Sequence, residues 1–116
     1  MNIEELRDYC LSMKGATEHF PFDEFSLVLK VQGKMFGLIP LDNTEPQIAL
    51  KCDPERAIQL REEYEAITAA YHFNKKHWNS VRIDSSISQS LLLELIQHSY
   101  DLVVAGLPKK LREELA

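Results

Sequence analysis

The sequence predicts an α+β domain in which an antiparallel sheet of about five strands is flanked by helices. Two observations lead to this prediction. Apolar residues recur at helical spacing near both ends of the chain, and between them short apolar runs alternate with turn residues. Because 116 residues with 45% hydrophobic side chains suffice for one core, we expect a single domain over residues 1–116.

Three helices are expected, one near each end of the chain and one between the strands. Asn2 and Glu5 have capping-box spacing, and the first helix is expected to run from there to about Lys14, where Gly15 stops it. Pro54 follows an aspartate and predicts the start of a short middle helix. The longest helix is expected to begin at a second capping box at Ser86 and to bury one broad apolar face.

The strands are expected in two groups. Apolar runs on either side of Gln32–Gly33 predict a hairpin in which Gly33 supplies the positive φ of a tight turn. The run QIALKC predicts a third strand, and ITAAYHF and HWNSVRID predict two more, joined by a basic turn around residues 74–76. The segment GATEHFPFD, before the hairpin, is interpreted as a loop.

Composition excludes several classes of protein. A formal net charge of -5 argues against nucleic-acid binding through bulk charge. Cys10 and Cys52 are too few for a disulfide framework and are interpreted as buried thiols. The N-terminus is acidic and amphipathic, unlike a signal peptide, and no apolar run approaches the roughly 20 residues that span a bilayer. We therefore expect a cytoplasmic protein with no membrane contact.

The segment 71–83 contains three fixed positive charges and no acid, and aromatic residues are interleaved with them. Lysine and arginine meet phosphates, whereas aromatic faces stack on bases, so this mixture is typical of a nucleic-acid contact. The candidate DNA-binding residues are Lys75, Lys76, His77, Trp78, Asn79 and Arg82, with Lys30, Lys34 and Lys51 as supporting phosphate contacts.

Each of these residues also has a purely structural explanation. Trp78, together with Val81 and Ile83, fits an inward-facing strand under the long helix. The lysine pair fits a turn that is kept soluble, and asparagines near turns, such as Asn74 and Asn79, usually hydrogen-bond the backbone.

No pattern in the chain predicts a reaction, a metal or a cofactor. His72 and His77 have no neighbouring carboxylate or thiol to complete a metal site. An acidic face on the first helix, formed by Glu4, Glu5 and Asp8, is interpreted as solvated, with iron binding as the alternative. Without a nucleophile beside a base or a phosphate loop, we expect a protein that is not an enzyme.

Four separated motifs, GKMFGL, ALKCDPE, YHFNKKHWNSV and SYDLVVAGLPKK, resemble signatures of the MmcQ/YjbR family, in the same order. The resemblance spans nearly the whole chain. It implies an antiparallel sheet flanked by helices, grouped with frataxin-like (CyaY-like) folds and similar to the double-wing DNA-binding half of a phage transcription factor. Members are often labelled DNA-binding on that likeness, and fold analogy alone is a weak basis for function.

Two functions from different classes follow. The first is a module that contacts double-stranded DNA weakly, in a salt-dependent manner, through the basic turn and a sheet face. The alternative is a protein-interaction or small-ligand module that uses the aromatic residues Phe22, Tyr71 and Phe73. Charge geometry separates them: one continuous basic face favours DNA, whereas nearby acids such as Glu62, Glu63 and Glu65 favour the alternative.

Overall fold

Six antiparallel strands form one sheet in the computed structural model, which describes residues 1–116. The elements in chain order are α1 (Ile3–Leu11), β1 (Ala16–His19), β2 (Ser26–Val31), β3 (Lys34–Pro40), β4 (Gln47–Lys51), α2 (Pro54–Glu63), β5 (Ile67–Ala69), β6 (Trp78–Arg82), α3 (Gln89–Ala105) and α4 (Lys109–Glu114). The strand order is β1-β2-β3-β4-β6-β5. The predicted α+β class and the placement of the three main helices are confirmed.

The sheet has one more strand than expected, because Ala16–His19 pairs with β2 along its outer edge. This stretch belongs to the segment interpreted as a loop, so that interpretation was wrong. A side chain distant in sequence also contacts this strand: Arg7 of α1 donates two hydrogen bonds to the Glu18 carboxylate, at 2.5 and 2.6 Å. The bidentate pair joins β1 to α1, and it lowers the pKa of Glu18.

The predicted hairpin is confirmed, and its turn uses two residues of positive φ, Gln32 at 49° and Gly33 at 79°. Two such residues in succession give the tight hairpin turn that matches the twist of the strands. Gln32 also donates through Nε2 to the carbonyl oxygen of Leu111 at 3.2 Å and to the carboxylate of Glu114 at 3.1 Å. The hairpin turn therefore holds the C-terminal helix α4.

The helix caps lie at the residues that the sequence predicts, except at α3. The capping box of Asn2 and Glu5 is present at α1. The α3 helix begins later than expected, because Ser88 rather than Ser86 accepts the capping hydrogen bond, from the amide of Leu91 at 3.1 Å. Ser86 instead donates its hydroxyl to the carboxylate of Asp84 and so belongs to the preceding turn.

The helices cover a single face of the sheet, and the core lies between them. The helical residues of this core include Leu6, Leu60, Leu92, Leu95 and Ile96, and the strand residues include Leu27, Leu29, Phe36, Ile48, Leu50, Ile67 and Val81. The α3 helix crosses the centre of the sheet on β3 and β4. The strand residues that alternate with these core residues point to the other face of the sheet. No helix covers that face, which we call the open face.

Ser99 joins α3 to the sheet where the ladder is irregular. The register of β2 and β3 shifts at Leu29, so that Phe36 has no partner on β2. The Ser99 hydroxyl, fully buried, donates to the carbonyl oxygen of Phe36 at 2.6 Å and accepts from the amide of Lys51 at 2.9 Å. One side chain thus satisfies two backbone groups on neighbouring strands, of which the Phe36 carbonyl is buried and the Lys51 amide partly buried.

Replacing Ser99 with alanine should lower the free energy of unfolding by about 2 kcal/mol, because it leaves the buried Phe36 carbonyl and the partly buried Lys51 amide without this partner. Urea denaturation followed by circular dichroism measures the change. Ser90→Ala, at an exposed position of the same helix, is the matched control and should change stability by less than about 0.5 kcal/mol. Equal effects of the two substitutions would contradict the bridging role of Ser99.

Candidate functional site

A cavity of about 770 Å³ lies on the open face of the sheet. Leu38 and Pro40 of β3 form part of its floor, and the rest is made of small or polar strand residues: Ser26, Gln47, Ala49, Thr68 and Ser80. These residues sit on β2, β4, β5 and β6, at positions whose sequence neighbours enter the core. Short side chains in the middle of a sheet face leave a depression that bulky ones would fill.

Three connections form the walls of the cavity. The β1–β2 connection contributes Phe22 and Asp23, and the β3–β4 connection contributes Asp42 and Asn43. The β5–β6 connection contributes three consecutive residues, Tyr71, His72 and Phe73. Phe22 and Tyr71 are 68% and 73% exposed, so the walls present aromatic surface that the folded chain leaves in water. The volume falls within the range typical of small-molecule sites.

Asp23 shapes the wall formed by the β1–β2 connection. Its carboxylate accepts hydrogen bonds from the amides of Phe25 at 2.9 Å and Ser26 at 2.7 Å, and from the Ser26 hydroxyl at 3.3 Å. These bonds favour the charged form and lower the pKa of Asp23. Asp23 therefore stays ionised at neutral pH while it holds the loop beside the cavity.

The β5–β6 connection is held by backbone bonds and by an aromatic stack. The amide of Ala70 donates to the carbonyl oxygen of Trp78 at 3.1 Å, and the amide of Phe73 donates to that of Ala70, also at 3.1 Å. The ring of Phe73 stacks on Trp78 with centroids 5.2 Å apart. This wall of the cavity therefore rests on β6.

Lys75 and Lys76 are exposed at the tip of the same connection, as predicted for a basic turn. Asn74 orders the tip, because its side-chain oxygen accepts from the amide of Lys76 at 3.0 Å. The Lys75 ammonium lies 5.0 Å from the centroid of the Tyr71 ring, which is a cation–π contact. His77 is half-buried, and its carbonyl oxygen accepts from the amide of Cys52 at 2.8 Å.

Asn79 has no free polar group to offer a ligand. It is 2% exposed, accepts from Arg61 at 2.9 Å and donates to the carbonyl oxygen of Ala57 at 3.3 Å. These bonds tie β6 to α2. A buried side chain with its hydrogen bonds satisfied cannot reach a phosphate. The prediction that Asn79 contacts DNA was therefore wrong.

Trp78 does not pack under the long helix, contrary to the structural alternative drawn from the sequence. Asn79 and Val81 point to the helices, and strand alternation therefore sends Trp78 and Ser80 to the open face. Trp78 stands there beside Lys51, its partner in the strand register, and stacks on Phe73.

The remaining basic candidates do not form one continuous face. Lys51 and Trp78 pair at one end of the sheet, toward which Lys30 and Lys34 also lie, whereas Arg82 pairs with Gln47 at the opposite end. Arg82 is also engaged by carboxylates, since it donates to Asp84 at 2.7 Å and lies 3.7 Å from Glu45. It has little free charge for a phosphate.

Acidic residues adjoin the basic turn. Arg61, near the end of α2, donates to the carbonyl oxygen of Lys75 at 3.0 Å, which fixes the turn against that helix end. The next residues of α2, Glu62 and Glu63, are acidic and exposed, and Glu65 follows. The charge pattern thus resembles the one expected of the alternative function.

The structure contains neither a cluster of metal ligands nor a helix suited to a membrane. No group of three or more His, Cys, Asp and Glu side chains comes together to hold a metal ion. In the acidic face of α1, Glu5 accepts the capping bond from Asn2 and Asp8 lies 3.6 Å from Arg7. None of the four helices combines the length and the apolar composition that a membrane span requires.

The fold and this surface define a class of protein: a small α+β domain with helices on one face of an antiparallel sheet and a loop-walled cavity on the other. The YjbR family model matches residues 11–102, and the chain belongs to the YjbR family.

Relatives in bacteria support this assignment. The chain is 32% identical to the uncharacterized protein YjbR of Escherichia coli K12, over 99% of this chain and 98% of that protein. It is 42% identical to the uncharacterized protein YbdF of E. coli O157:H7 over 78% of this chain and 75% of that protein.

Solved structures share the fold. The crystal structure of Deinococcus radiodurans DR2400, a DUF419 domain, matches with a TM-score of 0.92 and 38% identity, covering 98% of this chain and 87% of that one. A Pseudomonas syringae protein matches with a TM-score of 0.76 and 26% identity, covering 88% of this chain and 98% of that one.

The stack of Phe73 on Trp78 gives the cavity an optical reporter, because Trp78 is the only tryptophan. Phe73→Ala should expose the indole, shift its fluorescence emission to longer wavelength and lower the free energy of unfolding by about 1 kcal/mol through loss of the ring pair. Phe20→Ala, in the β1–β2 connection, is the control and should leave the emission maximum unchanged. An unchanged maximum in Phe73→Ala would show that the stack does not form.

Proposed function

We propose that this protein is a non-catalytic binding module that takes a small ligand in the cavity on its open face. The observation that carries the proposal is that Phe22, Tyr71 and Phe73, which come from two separate connections, line the same cavity of about 770 Å³. A concave site with aromatic walls and a few polar groups is the usual form of a small-molecule site. The floor offers Ser26, Gln47 and other polar side chains that can orient a ligand.

The titratable groups of the cavity support binding without catalysis. Asp23 is a weak base, because the hydrogen bonds that hold its loop lower its pKa. The only hydroxyl bonded to it, that of Ser26, therefore gains no activation as a nucleophile. Asp42 and His72 are exposed, and no ion pair of the chain includes either of them. A cytoplasmic site of action fits the two buried free thiols.

Filling the floor tests the proposal. Thr68 is exposed on β5 and lines the cavity, so Thr68→Trp should occupy it without disturbing the core, since tryptophan suits a strand. Thr17 is exposed on β1 of the same face and does not line the cavity, so Thr17→Trp is the matched control. Each variant and the wild type would be dialysed against a bacterial metabolite extract, and the retained compounds identified by mass spectrometry.

We expect the wild type and Thr17→Trp to retain at least one compound in common, and Thr68→Trp to lose at least about 90% of it. Retention of the same compounds by all three proteins would place binding outside the cavity. Retention of nothing by the wild type would remove the support for a small-ligand function.

Weak binding of double-stranded DNA is the second candidate, and a specific observation favours it. Lys75 and Lys76 are exposed at the tip of a turn ordered by Asn74, at the end of the sheet toward which Lys51 also lies. If the two turn lysines each neutralise one phosphate, the slope of log affinity against log salt concentration is about -2. Such binding is weak and is lost near physiological salt.

Fluorescence anisotropy with a short labelled duplex measures this second function. The wild type should bind at low salt, and the double variant Lys75→Glu/Lys76→Glu should bind at least about tenfold more weakly. The control is Lys109→Glu/Lys110→Glu on α4, which changes the net charge equally at exposed positions. Equal losses in the two double variants would show that only net charge matters and that the turn is not a site.

A further inference from the structure

We propose that the ligand of the open-face cavity is a small organic cation, with an ammonium or guanidinium group on an apolar or aromatic body. The inference rests on the proposed function, because it names the chemical class that the same cavity selects. It follows from the charges, the aromatic faces and the free carboxylate that the cavity presents.

The fixed charges of the lining have one sign, and His72 is its other titratable residue. Asp23 and Asp42 are its carboxylates, and neither lysine nor arginine is among its residues. Asp23 is held ionised by its hydrogen bonds from the β1–β2 connection. A recess lined by one sign of charge concentrates the opposite sign, so a cation is favoured over an anion in this cavity.

Asp42 is the carboxylate available to a ligand. It is exposed at the rim, and none of the ion pairs of the chain includes it. By contrast, the Glu45 carboxylate of the same connection lies 3.7 Å from Arg82. Asp42 can therefore accept a charge-assisted hydrogen bond from an ammonium or guanidinium without losing an existing partner.

The aromatic walls suit the same ligand class. The faces of tyrosine and phenylalanine rings attract cations, and they also bury an apolar body. Within the chain, Tyr71 already makes such a contact, since the Lys75 ammonium lies 5.0 Å from its ring centroid. Because Lys75 contacts this ring, its charge opposes a cation bound there, so its removal should help a cationic ligand and not a neutral one.

Three probes with the same ring isolate the charge: 2-phenylethylammonium, 2-phenylethanol and phenylacetate. Their dissociation constants would be measured at pH 7 and low salt from amide shifts of Ala49, Thr68 and Ser80 in nitrogen–proton correlation spectra. The cation should bind about three- to tenfold more tightly than the alcohol, and the anion most weakly. The Thr68→Trp variant should bind none of them.

Two single substitutions test the charge argument within the cavity. Asp42→Asn should remove most of the preference for the cation over the alcohol, whereas Glu62→Gln, the same charge change on α2, should preserve it. Lys75→Gln should tighten the cation about twofold and leave the alcohol unchanged.

The inference is overturned if the alcohol binds as tightly as the cation, if Asp42→Asn leaves the preference intact, or if no probe shifts the cavity amides at millimolar concentration. None of these results contradicts the proposed function if, in the dialysis experiment, the wild type retains a metabolite that Thr68→Trp does not retain. The proposed function itself fails only if the wild type retains no metabolite or if Thr68→Trp retains the same metabolites.

Discussion

The attachment of α3 to the middle of the sheet is the constraint on which the rest of the structure depends. Ser99 places a hydroxyl between the carbonyl oxygen of Phe36 and the amide of Lys51, so the helix has one axial position on β3 and β4. With α3 fixed there, α1 and α2 pack on the same side and the core is completed on that face. The opposite face receives no helix, and only the connections between strands can build on it.

The cavity on the open face forms because the side chains differ in size between the β2 side and the β5 side of the sheet. At the β2 side, Val28 is buried among neighbouring strands, whereas Ala49, Thr68 and Ser80 leave short side chains toward β5. The backbone under these residues is held by ladders on both sides of β6. The ladders therefore hold the backbone of the floor in place although its side chains are small.

Much of the fold could be predicted from the sequence because local signals were strong. The hairpin at Gln32–Gly33, the cap at Asn2 and the apolar face of α3 each depend on neighbours in sequence. The edge strand β1 was missed because ATEH has no apolar run, and it owes its order to pairing with β2 and to the salt bridge of Glu18 with Arg7.

The site was less predictable, because its parts are brought together by tertiary structure. The aromatic residues Phe22, Tyr71 and Phe73 were identified, but nothing local showed that two connections would meet over one floor. One signal could have indicated the floor of the cavity: the residue at the centre of β4, Ala49, and the residue at the centre of β6, Ser80, are both small. The alternation of β6 was readable too, since Trp78 and Val81 are three apart and cannot share a face.

The exposed aromatic residues on the open face contribute little to stability. Phe22 and Tyr71 leave most of their surface in water, so they contribute little of the roughly 25 cal/mol per Å² that burial would supply to folding. The connections that carry them are ordered by other groups, Asp23 in one and the backbone bonds of Ala70 and Phe73 in the other. The fold therefore does not require aromatic side chains at either position. Folding leaves their surface in water, and it is this surface that the proposed ligand would cover.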